Sequence, residues 1–408
     1  MLVNFKIKNF KTFKEETEFS FERGQKRELN YHIIHASDSH KLLPVKTIYG
    51  SNACGKTNLL LAMQVLRNFI IRKSIRQKKD DFIGLCPNFD NYEDPIEFSI
   101  TFICDKKEYY YYLSFVNYFE KMESKVIKEV LKEDRKTVFV RDDNKLEFSD
   151  DEKIINEHYK GFLESNYKKI ITKMFEENMK PTDIFTNWYS NIDNKLCEKI
   201  IDYFANITTI IDLEKFNINN YIHFADKNKT YQDRNIDKLL KELNVNKEKI
   251  LFEYSEDGKI NNYVYYKSDS EDMNIVAPIN SIESKGTVKL IDLLYPIIQS
   301  LQNGTAIFID ELDASIHHEI IYNLIQTYGD PEVNTKGAQL IFTTHNPVYL
   351  NKNLLRRDEI VFIERDNNAS LLHTLDDYNI RNDQVYLKNY LNGNYTVLPN
   401  FDFSNIVK

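Results

Sequence analysis

The stretch Gly50-Ser-Asn-Ala-Cys-Gly-Lys-Thr57 constrains the fold of this chain more than any other. It satisfies GxxxxGK[ST] at every fixed position. A short apolar run, Pro44–Tyr49, precedes it, and a helical pattern over Asn58–Ile71 follows. A strand, a glycine-led loop and a helix in that order turn backbone N–H groups toward one point at a helix N-terminus, which is a site for phosphate. Gly50, Asn52, Ala53, Cys54, Gly55, Lys56, Thr57 and Asn58 are therefore the expected nucleotide-binding residues. Lys56 is expected to reach the β- and γ-phosphates, and the Thr57 hydroxyl to hold Mg²⁺. The Cys54 thiol is read as filler, with no chemistry of its own.

Two later segments supply what a phosphate cradle lacks. Thr305-Ala-Ile-Phe-Ile-Asp-Glu311 reads as a buried parallel strand that delivers two carboxylates at its C-terminal edge, where α/β sheets bind ligands. Asp310 suits the Mg²⁺ shell, and Glu311 suits orienting and polarising the attacking water. Leu340-Ile-Phe-Thr-Thr-His345 is a second buried strand ending in a histidine, placed to meet the γ-phosphate or the water. The expected catalytic set is thus Glu311, His345 and Lys56; the expected metal ligands are Thr57 and Asp310.

The remaining periodicities sort the chain into three parts. Residues 1–149 read as a strand-rich lobe carrying the phosphate loop. It holds a strand–turn–strand over Leu2–Phe21 and paired strands Glu97–Cys104 and Tyr109–Val116. The tyrosine run Tyr109–Tyr112 reads as a two-faced strand in a wide sheet. Residues 150–248 show apolar spacing of three and four (Ile154, Ile155, Tyr159, Phe162; Leu239, Leu240, Leu243) and read as an inserted helical subdomain. In 249–408, strands Ile250–Tyr254 and Tyr263–Lys267 are joined by the turn signal Asp257–Gly258. A helix (Thr287–Leu301), the strand Ala306–Ile309, a helix, the strand Gln339–Thr343, a helix and the strand Glu359–Ile363 follow. Such alternation marks a parallel sheet with helices on both faces.

Composition narrows the function classes. A net charge of -8 does not suit a protein coated in nucleic acid, although a local basic patch stays open. The 4 cysteines show no CxxC spacing and so no zinc or disulfide framework. No apolar run approaches the roughly 18–20 residues that cross a bilayer, and the N-terminus lacks a signal-peptide core, so the expected location is cytoplasmic. The basic run Arg72–Lys79 reads as a solvated face, with a nucleic-acid or partner site as the alternative. His32, His35 and His40 fall in a polar loop, and Arg356-Arg357 read as caps on a helix C-terminus.

Phosphate loop, Asp-Glu strand and late histidine, split by a large insertion, resemble the ABC ATPase heads of the RecF, SMC and OLD proteins. The resemblance is nearest to the bacterial AbiLi/RloA-like ATPases of abortive-infection defence. It is carried by NFKTF near the start, GSNACGKTN, ESKGT, IDELDASIHHEI, TTHNP, LRRDEIVFIE and the tail YLNGNYTVLPN. It implies a P-loop NTPase of the ABC type, with a mixed sheet, an antiparallel β region and the helical insertion. It implies ATP and Mg²⁺ as ligands and a second copy of the chain as partner. Ser284, Gly286 and Thr287 of Glu283-Ser-Lys-Gly-Thr287 then match the signature that caps the nucleotide of the partner subunit. Ser315 and His317 become candidates for contacts across the dimer.

In such a setting ATP clamps two heads, hydrolysis releases them, and the motion controls a separate effector in anti-phage defence, a nuclease-like toxin being the candidate. With Lys408 as the last residue, the nuclease domain fused to OLD-type heads is not expected in this chain, and the effector is expected to be a separate protein. Three departures stand out. No glutamine lies between Gln77 and Gln232 to serve as a Q-loop residue, the signature is Ser-Lys-Gly-Thr, and Asp358-Glu359 stands where related chains often have Asp-Gln. A RecF- or SMC-like DNA-repair ATPase is the alternative, which salt-dependent duplex binding would favour. A nucleotide-gated scaffold with little hydrolysis is the other, which phosphate release separates.

Overall fold

The computed structural model describes residues 1–75, 85–118, 123–158, 167–192, 194–212, 230–231, 237–238, 241–242, 249–254, 260–267, 274–282, 284–314, 316–378 and 385–395. Its centre is a six-stranded sheet in the order Thr208–Ile210, Ala306–Ile309, Gln339–Thr343, Val45–Tyr49, Ile360–Asp366, Ala369–Thr374. The first five strands run parallel and the last pairs antiparallel at the edge. The inner strands are apolar at almost every position because both faces are covered. Ile48, Phe308, Ile341, Val361 and Ile363 face the helix Lys56–Arg72 in one core. Tyr49, Ile307, Ile309, Leu340, Phe342 and Phe362 face the helices Lys285–Asn303 and His318–Gly329 in the other.

A seven-stranded antiparallel sheet lies over the Lys56–Arg72 helix, in the order Lys145–Phe148, Lys136–Asp142, Glu123–Glu133, Lys107–Tyr118, Ile96–Cys104, Leu2–Lys8, Thr17–Ser20. Here apolar and polar residues alternate, since only one face meets the core. Tyr109 and Tyr111 are buried while Tyr110 and Tyr112 are part-exposed, the two-faced strand expected of the tyrosine run. The strands between 123 and 148 had no assignment from sequence.

The part of 150–248 that is described corrects the helical reading at Thr208–Ile210 and at Thr230–Tyr231, which are strands. Helices occupy Glu152–His158, Tyr167–Asn178, Phe185–Ser190 and Lys195–Ala205. Thr208–Ile210 is then a strand, pairing in parallel with Ala306–Ile309 and so belonging to the central sheet. Buried Glu129 of the antiparallel sheet holds the start of the third of these helices. Its carboxylate accepts the Phe185 and Thr186 N–H groups at 2.7 and 2.9 Å and the Thr186 hydroxyl at 2.7 Å. A negative group at a helix N-terminus satisfies donors that have no partner within the helix. The side chains of Tyr159, Phe162, Leu239, Leu240 and Leu243, and the turn Asp257–Gly258, lie outside the described residues. A third, four-stranded sheet contains Lys249–Tyr254 paired with Ile260–Lys267.

The helix expected between Thr343 and Glu359 is replaced by 3-10 turns at Pro347–Tyr349 and Arg357–Glu359. Asn346 and Asn351 side chains accept the Val348 and Asn353 N–H groups, offering the backbone an alternative to helix. Arg356 and Arg357 correct a second expectation, because they cap no helix C-terminus. Both are buried: Arg356 donates to Asp358 at 2.6 and 2.8 Å, and Arg357 pairs with Glu28 at 2.9 Å. His32, expected in a polar loop, is buried with Nδ1 3.2 Å from Glu359 Oε2. Residues 24–32 are thereby fastened to the start of the strand Ile360–Asp366, at the end of the sheet away from the phosphate loop.

Lys46 joins that cluster from the phosphate-loop strand. It is buried, donates to the Asp358 carbonyl at 2.6 Å and lies 5.9 Å from the rings of Phe19 and Phe21. Loss of hydration lowers its pKa to about 8, and the nearby Asp358 carboxylate opposes that fall. A lysine whose pKa is lower folded than unfolded makes the native state bind fewer protons between the two values. Stability from this residue therefore rises as pH climbs from about 8 toward the unfolded value of 10.5. Denaturant titrations should show the wild type gaining on Lys46→Met across that window, by at most about 1.4 kcal/mol per pH unit. Parallel curves for the two proteins would refute the shift.

Candidate functional site

The parallel strands end in a row along one edge of the central sheet, and the candidate groups sit at those ends. Val45–Tyr49 runs into the loop and then the helix Lys56–Arg72. The loop wraps closely enough to need its glycines. A Cβ on Gly50 would fall 2.5 Å from Cys54 Sγ and collide with the Ile363 carbonyl. Gly55 sits at φ 115°, open to glycine and strained for other residues. From outside, Ser370 donates its hydroxyl to the Cys54 carbonyl at 2.5 Å, while Asn58 donates to the Thr12 hydroxyl at 3.0 Å.

Asp310 is the point where three elements meet. Its carboxylate accepts the Thr57 hydroxyl at 2.7 Å and the Thr343 hydroxyl at 2.6 Å. Thr343 in turn accepts the Glu311 N–H at 2.7 Å. Glu311 sits at φ 48°, in the left-handed region that few residues with a side chain adopt, and this bond helps hold it there. Thr343 is wholly buried and joins both acidic residues to the neighbouring strand. Sequence reading passed over it, since a threonine in a β-branched run looks like strand filler.

Lys56 folds its ammonium back over the loop, donating to the Gly50 and Ser51 carbonyls at 2.9 and 3.1 Å. Burial lowers its pKa, and the Asp310 and Glu311 carboxylates counter that effect. Burial, then the charge of Lys56, lowers the pKa of His345, favouring the neutral imidazole. The loop carrying His345 is pinned on both sides. Thr344 N–H donates to Ile48, and the Tyr49 hydroxyl donates to the Asn346 carbonyl at 3.3 Å.

A cavity of about 490 Å³ opens over these groups. Of the expected residues, Asn52, Ala53, Gly55, Lys56, Thr57, Asn58, Glu311 and His345 line it, and Asp310 lies beneath through Thr57. Gly50 and Cys54 form the loop without lining the cavity; burial raises the pKa of the Cys54 thiol. Thr12 and Arg365 line it as well, and sequence reading named neither.

Ser284, Gly286 and Thr287 are not in this cavity. They stand at the N-terminus of Lys285–Asn303, where Ser284 is exposed, caps the helix and accepts the Thr287 N–H at 3.2 Å. His317 caps the next helix, its Nδ1 accepting the Glu319 N–H at 3.3 Å. Ser315 lies outside the described residues, as do residues 76–79 of the basic run.

The chain matches the family described as "AAA domain, putative AbiEii toxin, Type IV TA system" over residues 47–351, which takes in the phosphate loop, the Asp-Glu strand and His345. Among solved structures it is similar to the SMC head domain from Thermotoga maritima at 12% identity and a TM-score of 0.38, covering 91% of this chain and 98% of that one. No curated protein matches it. No helix among the described residues is long and apolar enough to cross a membrane.

Replacing Thr343 by valine keeps the shape but leaves the Glu311 N–H unpaired and Asp310 short of one donor. Stability should fall by about 1–3 kcal/mol in denaturant titration, with the slope unchanged. A variant as stable as wild type would show that Thr343 does not hold the two acidic residues.

Proposed function

The chain belongs to this AAA-domain family, and from that premise we propose that it is an Mg²⁺-dependent ATPase working as a nucleotide-driven switch between paired copies. The observation that carries the reading is the convergence of Lys56, Thr57, Glu311 and His345 on one cavity, with Asp310 hydrogen-bonded to Thr57.

The residues fit the groups they would hold. Thr57 and Asp310 present a hydroxyl and a carboxylate, hard oxygen donors of the kind that suits Mg²⁺. The ion supplies charge neutralisation at the phosphate oxygens. Backbone N–H groups from Asn52 to Asn58 would cradle the triphosphate of the substrate, helped by the N-terminus of a 17-residue helix. Lys56 would swing from the loop carbonyls to the β- and γ-phosphates. Glu311 would orient the attacking water and take its proton as the new O–P bond forms and the bond to the bridging oxygen breaks. His345, kept neutral, would bond the γ-phosphate or that water.

The partner copy enters because the signature-like residues are not among the described residues that line the cavity. Ser284, Gly286 and Thr287 lie on an exposed helix N-terminus outside their own cavity, with donors and dipole suited to a phosphate held by a second copy. ATP bound between two copies would favour the pair, and hydrolysis would release it. The family description names a toxin and a toxin–antitoxin system. That wording and the motifs shared with abortive-infection ATPases support anti-phage defence, in the cytoplasm, through a separate effector.

Glu311→Gln should cut ATP turnover by about 10²–10⁴-fold while leaving ATP affinity intact. It should also elute as a dimer in ATP and Mg²⁺, and adding Ser284→Arg should return it to monomer. Wild-type turnover in Glu311→Gln would remove the assigned base. A monomer in every nucleotide state would remove the paired switch.

A further inference from the structure

We infer that Arg365 is the residue that receives the purine base, its guanidinium plane lying against the ring. The inference rests on the ATP-binding reading above and assigns the end of the cavity which that reading leaves bare.

The order of strand ends gives the cavity a direction. Along the sheet edge come Asp310 and Glu311, then Thr343 and His345, then the phosphate loop, then Arg365 at the end of Ile360–Asp366. The groups for hydrolysis stand on one side of the loop, so the terminal phosphate faces that way. Phosphates strung over the loop N–H groups then leave the nucleoside on the opposite side, beside Thr12, Asn58 and Arg365.

A base needs a flat surface to stack on, and among the described residues no Phe, Tyr or Trp lines the cavity. At the nucleoside end two lining side chains are planar. The Asn58 amide is already committed to the Thr12 hydroxyl at 3.0 Å. Arg365 is exposed, and its two hydrogen bonds are long and go to neutral oxygens, the Ala53 carbonyl at 3.3 Å and Asn368 Oδ1 at 3.4 Å. The Ala53 bond points the side chain toward the loop, and neither bond neutralises it. A guanidinium so placed offers a delocalised, weakly hydrated plane, the surface that arginine lends to aromatic rings and nucleobases. Such stacking makes a modest contribution to affinity.

The test uses the full chain as wild type, Arg365→Ala and Arg365→Lys, with ATP and ADP by calorimetry and inorganic tripolyphosphate as a competitor. Both variants should bind ATP and ADP about fivefold more weakly. Tripolyphosphate, which has no base, should compete equally well in all three. Undiminished ATP binding in Arg365→Ala overturns the inference. An equal loss for tripolyphosphate also overturns it, assigning Arg365 to a phosphate. If the wild type binds no ATP, the proposed function itself fails, a result separable from either of these.

Discussion

The Asp310 carboxylate, caught between the hydroxyls of Thr57 and Thr343, is the interaction on which the candidate site depends. It joins the first turn of the phosphate-loop helix to the ends of two parallel strands whose residues are far apart in sequence. Such bonds to an ionised acceptor are stronger than neutral ones and lose more when a partner is removed from a buried place. Glu311 inherits its position from the same contact, through its N–H on Thr343. One hydroxyl thus sets the carboxylate proposed for metal and helps to hold the carboxylate proposed for water.

That contact stays in place because the sheet beneath it cannot shift easily. Alternate residues of each central strand enter different cores, one shared with the Lys56–Arg72 helix and the antiparallel sheet, the other with the helices Lys285–Asn303 and His318–Gly329. A register slip would move every side chain to the wrong core. At the opposite end of the strands from the site, the starts of Val45–Tyr49 and Ile360–Asp366 are fastened by the buried group of Lys46, His32, Arg356, Asp358 and Glu359. Burial raises the pKa of Glu359, with His32 opposing that rise. Buried charges of this kind contribute little net stability when intact and cost much when one partner is lost. Their role here is to fix where the 24–32 segment lies.

What could be read from sequence follows from how local each signal is. The phosphate loop is legible because one contiguous run needs its glycines, lysine and threonine together. The inner parallel strands are legible because burial on both faces forces apolar runs such as Ala306–Ile309 and Gln339–Thr343. The strands from 123 to 148 were missed because charged residues interrupt the apolar alternation, as in Glu123–Glu133, where Glu129 and Glu133 are buried by partners distant in the chain. Thr208–Ile210 was missed because three residues carry no period, and its membership in the sheet is decided by Ala306–Ile309 alongside. Arg356 and His32 looked like surface groups because the partners that neutralise and bury them are distant in the chain. Thr343 and Arg365 escaped for the same reason: their meaning comes from Asp310, Glu311 and Ala53, which only the fold brings near.

The two ends of the cavity differ in how firmly their side chains are held. A cavity laid across the ends of four neighbouring strands has its ordered, hydrogen-bonded groups at the Asp310 end and its loosely held arginine at the other. Tight geometry belongs where charge must be stabilised in a transition state, and looser geometry suffices where a base only has to rest. The signature-like residues, exposed on the Lys285–Asn303 helix, are excluded from their own cavity by the fold. For them to act on a γ-phosphate, that phosphate must belong to another copy. Under the proposed function, chemistry within one chain and assembly between two then answer to the same atom, and loss of the terminal phosphate would end both.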